Sequence, residues 1–439
     1  MLRTHNCGEL TGKDSGKKVV LAGWVDTIRV QGKIGFLLLR DRYGITQIFL
    51  NPGIAKELTT LPKESVVLVH GDVKARPANQ VKKEMSTGEI EVAASKVEVL
   101  SKSETPLPIE ITEDTTTNID KRIDYRFLDL RRKNISAIFT IRSRIYALTT
   151  EFFIKEGFIN IQTPKLTASG VESGAEEFKI KYFGKEASLA QSPQVYKQMF
   201  VVSGLEKVFE IGTVFRAEKS HTTRHLTEFT GIDFEMGFIK DENDVMDVTE
   251  KYFQFLIKRL SEECKEELST LNVKLNVPKE IPRIHMADMK KWLKEKGKIV
   301  PEDDDLDAEG EKMMGEIVKE KYKCNFFFAL DYPWKKRPFY HMKQENNPNS
   351  TKSFDLVYNG VEIATGAQRE HRLDVLEKQC KEKGLDLKKL NFYREIFRYG
   401  SIPHGGIGLG LDRITEQMLN LGNIREAILL PRDPERLTP

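Results

Sequence analysis

Two segments far apart in the chain place an arginine near a carboxylate, a combination suited to a nucleotide. Residues 214–218 read V-F-R-A-E and contain Arg216 and Glu218, and residues 406–413 read G-I-G-L-G-L-D-R and end in Arg413. Arginine binds phosphate through two parallel hydrogen bonds, and the glycines before Arg413 let a backbone approach a bulky ligand. The chain has no G-x-x-x-x-G-K-[ST] loop, so the predicted ATP site is not of the Walker type.

The stretch K-S-F-D-L-V-Y-N-G-V-E-I-A predicts a β-hairpin that carries two carboxylates. Asn-Gly favours a two-residue turn, which pairs Tyr358 with Val361 and Val357 with Glu362. Asp355 then shares a face with Glu362, because side chains two residues apart on a strand point to the same side. Neighbouring like charges destabilise a sheet unless a cation lies between them. Magnesium bridging the phosphates of ATP is the natural candidate, and two solvated strand carboxylates are the alternative.

Two cations predict a pocket for a small anionic substrate. Lys197 lies in A-S-L-A-Q-S-P-Q-V-Y-K-Q together with Gln194, and Arg369 ends T-G-A-Q-R. A guanidinium and an ammonium group together suit a carboxylate. Taken singly, each is more often a surface cation than a ligand.

The polar loop H-T-T-R-H-L-T-E-F follows Arg216 and holds Arg224, His225 and Phe229. Such a loop could cover a triphosphate, while Phe229 could stack on a base. A buried structural phenylalanine is the competing explanation. The eight histidines show no H-E-x-x-H or other metal-binding spacing, which argues against a catalytic zinc site.

The charge distribution fits an accessory contact with nucleic acid at one end of a near-neutral protein. The 439 residues carry a net charge of +3, whereas residues 1–103 hold 16 basic and 11 acidic residues, a net of +5. An ordinary solvated surface explains this charge equally well. Four scattered cysteines without a C-x-x-C pair and the lack of a long apolar run predict a cytoplasmic protein without a membrane partner.

Five short β segments between residues 18 and 99 predict a small barrel, and an OB-fold is the leading candidate. We therefore assign residues 1–103 to a barrel domain, 104–130 to a proline-containing hinge and 131–439 to a second domain. Within the second domain, residues 245–325 are charged and mostly helical, and we interpret them as an insertion.

The second domain begins with a predicted helix that has an apolar seam at three- and four-residue spacing. The seam residues are Ile138, Ile141, Ile145, Leu148 and Phe152. Gly157 ends this helix, and F-I-N-I-Q-T-P then predicts a strand that stops at Pro164. Packing within one subunit and contact between subunits are the two explanations of the seam.

Together these motifs resemble the class II aminoacyl-tRNA synthetases, and among them the aspartyl enzymes. The helix and strand ending at Pro164 are similar to motif 1, the dimer interface of that family. F-R-A-E with the loop up to Glu235 is similar to motif 2, and G-L-G-L-D-R to motif 3, with Q-S-P-Q-x-x-K-Q between motifs 1 and 2. The resemblance covers nearly the whole chain apart from residues 245–325. It implies an α+β fold, with an N-terminal OB-fold anticodon-binding barrel and an antiparallel sheet flanked by helices, and a homodimer through motif 1.

The resemblance also implies roles for individual residues of this sequence. Arg216 would hold the α-phosphate, and Arg413 would stack on adenine while reaching the terminal phosphate. The implied ATP contacts are Arg216, Glu218, Arg224, His225, Phe229, Glu362 and Arg413. The implied aspartate contacts are Glu172, Gln194, Lys197, Asp233 and Arg369, and the implied magnesium ligands are Asp355 and Glu362. The implied anticodon contacts in the barrel are Arg29, Phe36, Gln47 and Glu91.

By the same resemblance, the expected reaction joins L-aspartate to tRNA-Asp through an aspartyl-adenylate, with ATP and Mg²⁺. Whether tRNA-Asn is charged as well stays open, because the residues at Asp26, Val30, Gln31 and 77–86 do not decide it. An asparaginyl enzyme is the nearest alternative, although such relatives carry an acidic residue where Lys197 stands. An ammonia-dependent asparagine synthetase would lack the barrel, and a non-catalytic RNA-binding paralogue would usually lose the motif arginines.

Overall fold

The chain divides into two compact units, Met1–Lys133 and Asn134–Pro439. The computed structural model describes residues 1–168, 176–219, 226–385 and 391–439. Glu172, Arg224 and His225, which the resemblance places at the site, lie outside these ranges. No helix in the described part of the chain has both the length and the apolar character needed to cross a membrane.

The first unit is built around a closed five-stranded barrel. Its strands are β1 (Lys18–Gln31), β2 (Ile34–Arg40), β3 (Ile45–Leu50), β4 (Val66–Ala75) and β5 (Ile90–Ser101), and its helices are α1 (Pro52–Leu58), α2 (Ile119–Asp124) and α3 (Arg126–Asp129). The strands close in the order β1-β2-β3-β5-β4. Alternate residues such as Leu37, Leu39 and Ile48 are fully buried inside, because side chains alternate between the two faces of a strand. The predicted barrel is confirmed.

Residues 104–130, predicted as a hinge, belong to this first unit. The fully buried Asp129 accepts hydrogen bonds from three neighbouring arginines at 2.8, 2.9 and 3.0 Å. Glu64 pairs with Arg40 of β2 and with Arg131, so ion pairs connect this end of the unit to the barrel. Where the functional boundary between the domains falls stays a prediction.

The second unit contains eleven described strands and nine described helices. The strands are β6 (Ile159–Asn160), β7 (Leu166–Ala168), β8 (Lys179–Tyr182), β9 (Lys185–Leu189), β10 (Lys207–Phe215), β11 (Glu228–Gly237), β12 (Arg283–His285), β13 (Phe326–Leu330), β14 (Ser353–Tyr358), β15 (Val361–Gln368) and β16 (His404–Gly410). The helices are α4 (Lys133–Lys155), α5 (Gln194–Phe200), α6 (Glu242–Glu263), α7 (Lys265–Thr270), α8 (Met286–Glu295), α9 (Ala308–Tyr322), α10 (Leu373–Glu382), α11 (Asn391–Arg398) and α12 (Leu411–Leu419).

Eight of these strands form one sheet in the order β12-β13-β14-β15-β16-β11-β10-β6. The central pairs are antiparallel, and parallel pairs occur at the two edges, between β12 and β13 and between β6 and β10. A separate antiparallel sheet has the order β7-β9-β8. The predicted antiparallel sheet with flanking helices is therefore confirmed, with the edge pairs as the departure from it.

The apolar seam of α4 packs inside the unit. Ile141, Ile145 and Leu148 are fully buried, and the next turn places Phe153 against Phe234 of β11 with ring centroids 5.2 Å apart. Core packing thus accounts for the seam, because these side chains have no surface left for a second subunit.

The segment predicted as an insertion holds most of α6, then α7, β12, α8 and α9. Tyr252 of α6 stacks on Phe153 of α4 with ring centroids 5.5 Å apart. This part of the segment therefore belongs to the hydrophobic core of the second unit. That residues 245–325 are an insertion stays a prediction.

The predicted hairpin is present as β14 and β15. Tyr358 pairs with Val361 and Val357 with Glu362. Beyond these pairs the register shifts by one residue, so Asp355 lies opposite Thr365. The irregularity is a β-bulge, which re-aims side chains locally.

Candidate active site

A polar cavity lies on the face of the large sheet opposite α4. Along β11, Phe234 packs on α4, so its neighbours Asp233 and Glu235 point to the other face. The cavity has a volume of about 310 Å³ and is walled by β10, β11, β15, β16 and the start of α12. The predicted site residues that line it are Gln194, Arg216, Glu218, Phe229, Asp233, Glu362, Arg369 and Arg413.

Arg216 and Phe229 form one wall near the opening. The guanidinium carbon of Arg216 lies 5.3 Å from the centre of the Phe229 ring, and the Arg216 side chain is 45 % exposed. The backbone N–H of Arg216 donates to the Thr227 carbonyl at 2.9 Å, which fixes the chain where β10 ends. Glu218 is 3.9 Å from Arg216, a loose contact that leaves the guanidinium available to a phosphate.

Arg413 approaches from the first turn of α12. Its Nη1 donates to the Glu362 carbonyl at 2.9 Å. Asp412 beside it accepts from the Thr230 N–H at 2.8 Å and from Arg142 at 2.6 Å, which anchors the helix start to β11 and α4. The carboxylate next to Arg413 therefore positions the helix rather than the ligand.

The floor of the cavity is a buried charge network centred on Glu235. The Lys197 ammonium group lies 3.0 Å from Asp233 and 3.3 Å from Glu235. Its third donor reaches the Ile407 carbonyl at 3.1 Å. Lys197 is 1 % exposed and is not among the residues that line the cavity. Its contact with a substrate carboxylate stays a prediction.

Arg369 completes this network from the opposite side. Its Nε donates to Glu235 at 2.9 Å, its Nη2 donates to the Gly406 carbonyl at 3.0 Å, and its Nη1 contacts His341 Nε2 at 2.9 Å. A guanidinium has five N–H donors. One Nη1 N–H therefore has no partner among the described residues, and Arg369 borders the cavity.

The two cations determine the charge of Glu235. Burial alone would raise the pKa of this carboxyl group, but Arg369 and Lys197 together lower it below its ordinary value. Glu235 therefore stays ionised beneath the cavity. Burial lowers the pKa of His341 well below its ordinary value, and the neighbouring Arg369 adds to the effect. A neutral His341 can accept the hydrogen bond from Arg369.

Gly406 of β16 is required beside this network. A Cβ atom at that position would lie 2.1 Å from a Glu235 carboxylate oxygen and 2.2 Å from the Phe234 carbonyl oxygen. The glycine-rich segment that we interpreted as room for a ligand thus also makes room for Glu235.

The two predicted magnesium ligands lie on neighbouring strands with different surroundings. Arg337 donates to one Asp355 oxygen at 2.7 Å, while the other, Oδ1, is buried without a hydrogen-bond partner among the described residues. Thr365 donates to Glu362 at 2.9 Å. Burial raises the pKa of Asp355 to about 6; Arg337 opposes this rise and Glu362 adds to it. An unpaired buried oxygen beside a second carboxylate fits a divalent cation.

A third carboxylate, Glu311 of α9, approaches the same place and accepts a hydrogen bond from the Glu362 N–H at 3.4 Å. Burial, followed by Glu362, raises the pKa of Glu311 to about 7. Over the described ranges, no group of three or more histidine, cysteine, aspartate or glutamate side chains is arranged to hold a metal by itself. Phosphate oxygens or water would therefore have to complete the coordination of a cation held by Asp355 and Glu362.

Gln194 lies at the start of α5 and is 6 % exposed. Its backbone N–H donates to the Ser192 hydroxyl at 3.1 Å. Its side-chain Nε2 is buried and lacks a hydrogen-bond partner in the described part of the chain. Since buried amides are nearly always hydrogen-bonded, this group fits a polar ligand in the cavity.

Several side chains of the candidate site were not identified from the sequence. Glu235 had a usable signal, because D-F-E in a strand places both carboxylates on one face. Glu311, Arg337 and His341 come from α9 and from a loop, where nothing in the local pattern distinguishes them from surface residues.

The four predicted anticodon residues share the outer face of the barrel. Arg29 of β1 lies opposite Phe36 of β2, which in turn lies opposite Phe49 of β3. Gln47 Nε2 donates to Glu91 at 3.0 Å, so these two polar groups are held beside the aromatic pair. A half-buried aromatic pair next to fixed polar groups suits unpaired bases.

Two further cations border the outer face of the barrel that carries the four predicted anticodon residues. Lys82 donates to Gln47 at 3.1 Å. Arg76 is 7 % exposed, and none of its three guanidinium nitrogens has a hydrogen-bond partner among the described residues. Burial lowers the pKa of Arg76, although Glu91 and Glu84 oppose the effect. Neither cation was among the predicted anticodon contacts, although Lys82 lies within the 77–86 segment.

Comparison with known proteins identifies both units. Residues 118–434 match the family described as tRNA synthetases class II (D, K and N), and residues 19–100 match the OB-fold nucleic acid binding domain. The chain is 45 % identical to the aspartate–tRNA(Asp) ligase of Pyrococcus abyssi, with all of both chains covered. It is 43 % identical to the aspartate–tRNA(Asp/Asn) ligase of Aeropyrum pernix, with 97 % of this chain and 96 % of that protein covered.

A solved structure is similar over the same extent. The asparaginyl-tRNA synthetase of Pyrococcus horikoshii, complexed with asparaginyl-adenylate, superposes with a TM-score of 0.91 at 34 % identity and full coverage of both chains. The motifs, the two folds and these similarities agree, and the chain belongs to the class II tRNA synthetases of the D, K and N group.

Proposed function

We propose that this protein joins L-aspartate to tRNA, first activating the amino acid with ATP. The observation that carries the proposal is the pair of buried cations, Lys197 and Arg369, on either side of Glu235 at the cavity floor. Two cations around one buried carboxylate favour a second carboxylate, the side chain of aspartate. Asp233 on the cavity wall is the matching anion for the substrate ammonium group.

The network implies an exchange of ion pairs on binding. All three donors of Lys197 are engaged, one of them by Asp233 at 3.0 Å. When Asp233 turns to the substrate ammonium group, Lys197 is left with one donor free for the substrate side-chain carboxylate. Arg369 offers its remaining Nη1 N–H to the same carboxylate. The substrate ammonium group and side-chain carboxylate are thereby paired without leaving a protein charge uncompensated.

Activation follows from the position of the arginines. The α-carboxylate of aspartate attacks the α-phosphate of ATP in line, pyrophosphate leaves, and aspartyl-adenylate forms. Arg216 would stabilise the charge that develops on the α-phosphate oxygens, and Arg413 would bind adenine and the terminal phosphate. Phe229 would stack on the other face of adenine, near Glu218. No protein nucleophile is needed, because positioning and electrostatics carry this step.

The class II family uses Mg²⁺ with ATP. Asp355 and Glu362 would hold the ion, since Asp355 keeps a buried oxygen without a partner among the described residues. When bound, it would neutralise phosphate charge. Arg337 holds the other oxygen of Asp355 in place.

In the second step, the terminal ribose hydroxyl of tRNA attacks the carbonyl carbon of the adenylate and releases AMP. The barrel supports tRNA recognition through Arg29, Phe36, Gln47 and Glu91, with Phe36 as the stacking surface. The curated relatives include ligases for tRNA-Asp alone and for both tRNA-Asp and tRNA-Asn. Charging of tRNA-Asp alone and charging of both tRNAs therefore remain candidates for this chain.

An asparaginyl enzyme is the second candidate, because a solved enzyme of that specificity has the same fold over its full length. Lys197 favours aspartate, since a buried ammonium group paired with Glu235 suits a carboxylate better than a carboxamide.

Amino-acid-dependent ATP–pyrophosphate exchange separates these candidates. The purified protein is expected to exchange label between pyrophosphate and ATP when aspartate is present. It should not do so with asparagine or without an amino acid. Exchange driven by asparagine would contradict the role given to Lys197. Absence of exchange with either would favour the non-catalytic RNA-binding alternative.

Replacing Arg216 by alanine is expected to lower exchange by about 10²- to 10³-fold, the usual effect of removing one donor to developing charge. Because Arg216 is 45 % exposed, the fold should persist, which circular dichroism can check. Arg42→Ala, a change at an exposed arginine of the barrel, is the control. Normal exchange by the Arg216 variant would contradict its assigned role.

A homodimer through the motif 1 helix and strand is also proposed. Its support is the apolar surface that remains after the seam is buried: Tyr146 and Ile154 of α4 and Ile159 of β6 are 46 %, 58 % and 45 % exposed. Cytoplasmic location stays a prediction.

A further inference from the structure

The hairpin between β8 and β9 carries an exposed phenylalanine in an unfavourable backbone conformation. Tyr182 pairs with Lys185, so Phe183 and Gly184 form a two-residue loop. Their φ angles are +45° and +80°, and two successive positive values indicate a type I′ turn. Phe183 is 91 % exposed. A bulky side chain in the left-handed region is an outlier, and such strain commonly marks a functional position.

The turn itself does not require phenylalanine. The hairpin between β14 and β15 has the same two-residue loop, built from Asn359 and Gly360 with φ angles of +52° and +74°. Asparagine tolerates the left-handed region far better than an aromatic residue. The same chain thus shows which residue a purely structural turn takes, and Phe183 needs a different explanation.

The surroundings of Phe183 suit RNA. The ring of Tyr182, 43 % exposed, lies edge-on to it with centroids 4.9 Å apart. Lys181 and Lys185 are exposed and make no ion pair with any described residue, whereas Lys179 is paired with Glu186. Aromatic rings beside free cations are the usual surface for an unpaired base and its phosphates. The lysines alone could protect the edge strand β8 from aggregation, but that role would not need Phe183.

The hairpin is connected directly to the cavity. β9 runs from Lys185 to Leu189, and Gln191, two residues beyond its end, lines the cavity. At about 3.3 Å per residue, the six residues from Lys185 to Gln191 span roughly 20 Å. The tip therefore lies within roughly 20 Å of the cavity wall at Gln191, a distance that one RNA strand can span while its terminal ribose reaches the cavity.

We propose that Phe183 stacks on an unpaired base at the acceptor end of the tRNA substrate while Lys181 and Lys185 contact its phosphates. This inference rests on the proposed function, because it assumes that tRNA is the second substrate. The contact would position the end of the tRNA for transfer and would play no part in forming the adenylate.

The variant Phe183→Asn separates the two explanations of this residue. Asparagine keeps the turn, as Asn359 does in the other hairpin, but removes the stacking surface. The expected result is a roughly tenfold rise in KM for tRNA in aminoacylation, in line with the loss of one stacked base. Phe183→Trp should stay near wild type because it retains the aromatic surface.

A matched control is available in the same unit. Phe238 is also exposed, at 66 %, and also has a positive φ of +54°, but it directly follows β11 and lies outside the β8–β9 hairpin. Phe238→Asn should leave KM for tRNA unchanged. ATP–pyrophosphate exchange, which needs no tRNA, should be the same in all three variants and the wild type.

Failure of this inference can be distinguished from failure of the proposed function. An unchanged KM for tRNA in Phe183→Asn would overturn the inference. A change in the mass of this variant in solution relative to the wild type would also overturn it, because the tip would then contact a second copy of the protein. If the wild type lacked exchange, the proposed function would fail, and fluorescence anisotropy with tRNA would still test binding by the tip. Lys181→Ala should also reduce the slope of log affinity against log salt by about one, and an unaltered slope would count against the phosphate contact.

Discussion

Replacing Arg369 by leucine is expected to lower aspartate-dependent ATP–pyrophosphate exchange by about four orders of magnitude. A site built to pair a charged group loses discrimination on that scale when one of its partners is removed, because the substrate carboxylate then keeps Lys197 as its remaining cation and shares it with Glu235. Arg369 is 2 % exposed, and it both pairs with Glu235 and borders the cavity. Steady-state exchange at saturating ATP, with aspartate varied, measures the effect.

Loss of activity and loss of fold must be separated in this experiment. Leucine leaves Glu235 with Lys197 as its remaining cation, which is expected to destabilise the protein by about 3–5 kcal/mol. Arg369→Lys keeps the charge and should remain folded, while its single ammonium group cannot reproduce the forked geometry, so exchange should fall roughly a hundredfold.

Arg372→Leu is the matched control for both variants. This arginine lies three residues further on, its side chain is 54 % exposed, and it pairs at 2.9 Å with the buried Glu370, so its replacement also leaves a buried carboxylate without its cation. Exchange should be close to wild type. Full activity in Arg369→Lys, or an equal loss in Arg372→Leu, would contradict the proposed substrate pocket.

The local patterns of the sequence predicted the elements well, because each depends on neighbouring residues. The Asn359-Gly360 turn set the pairing of Tyr358 with Val361, and Gly157, with a φ of +81°, follows the end of α4. The one-residue shift beyond Val357 was not predicted, since a β-bulge has no clear signal in the residues around it.

The charge network could not be predicted, because its members meet only through the order of strands in the sheet. Glu235, Gly406 and Arg369 lie on β11, on β16 and immediately after β15, which are neighbours in space but distant in the chain. Lys197 was therefore expected to face the substrate directly. In the structure, Asp233 and Glu235 occupy its donors, and those partners follow from the tertiary fold.

The second large effect is expected at Glu235, the fully buried carboxylate between the two cations. Glu235→Gln preserves shape but removes the charge, so Lys197 and Arg369 would share Asp233 as their nearest remaining anion. Breaking a buried ion pair from one side costs about 3–5 kcal/mol. The midpoint of urea unfolding of the second unit, followed by its tryptophan fluorescence, should therefore fall to a lower urea concentration. Glu228→Gln, at an exposed position on the same strand, should leave this midpoint unchanged.

The difference in stability between the wild type and Glu235→Gln should decrease in acid, and the direction follows from the pKa of Glu235. The folded-state pKa of Glu235 lies below its ordinary value of 4.5, so its contribution to stability is complete above 4.5 and is lost as the pH falls through the folded-state value. The difference between wild type and Glu235→Gln should be constant across the neutral range and shrink only in acid. Aspartate should stabilise the variant more than asparagine does, because it supplies the missing carboxylate. Equal stabilisation by both amino acids would mean that the two cations do not form the substrate carboxylate site.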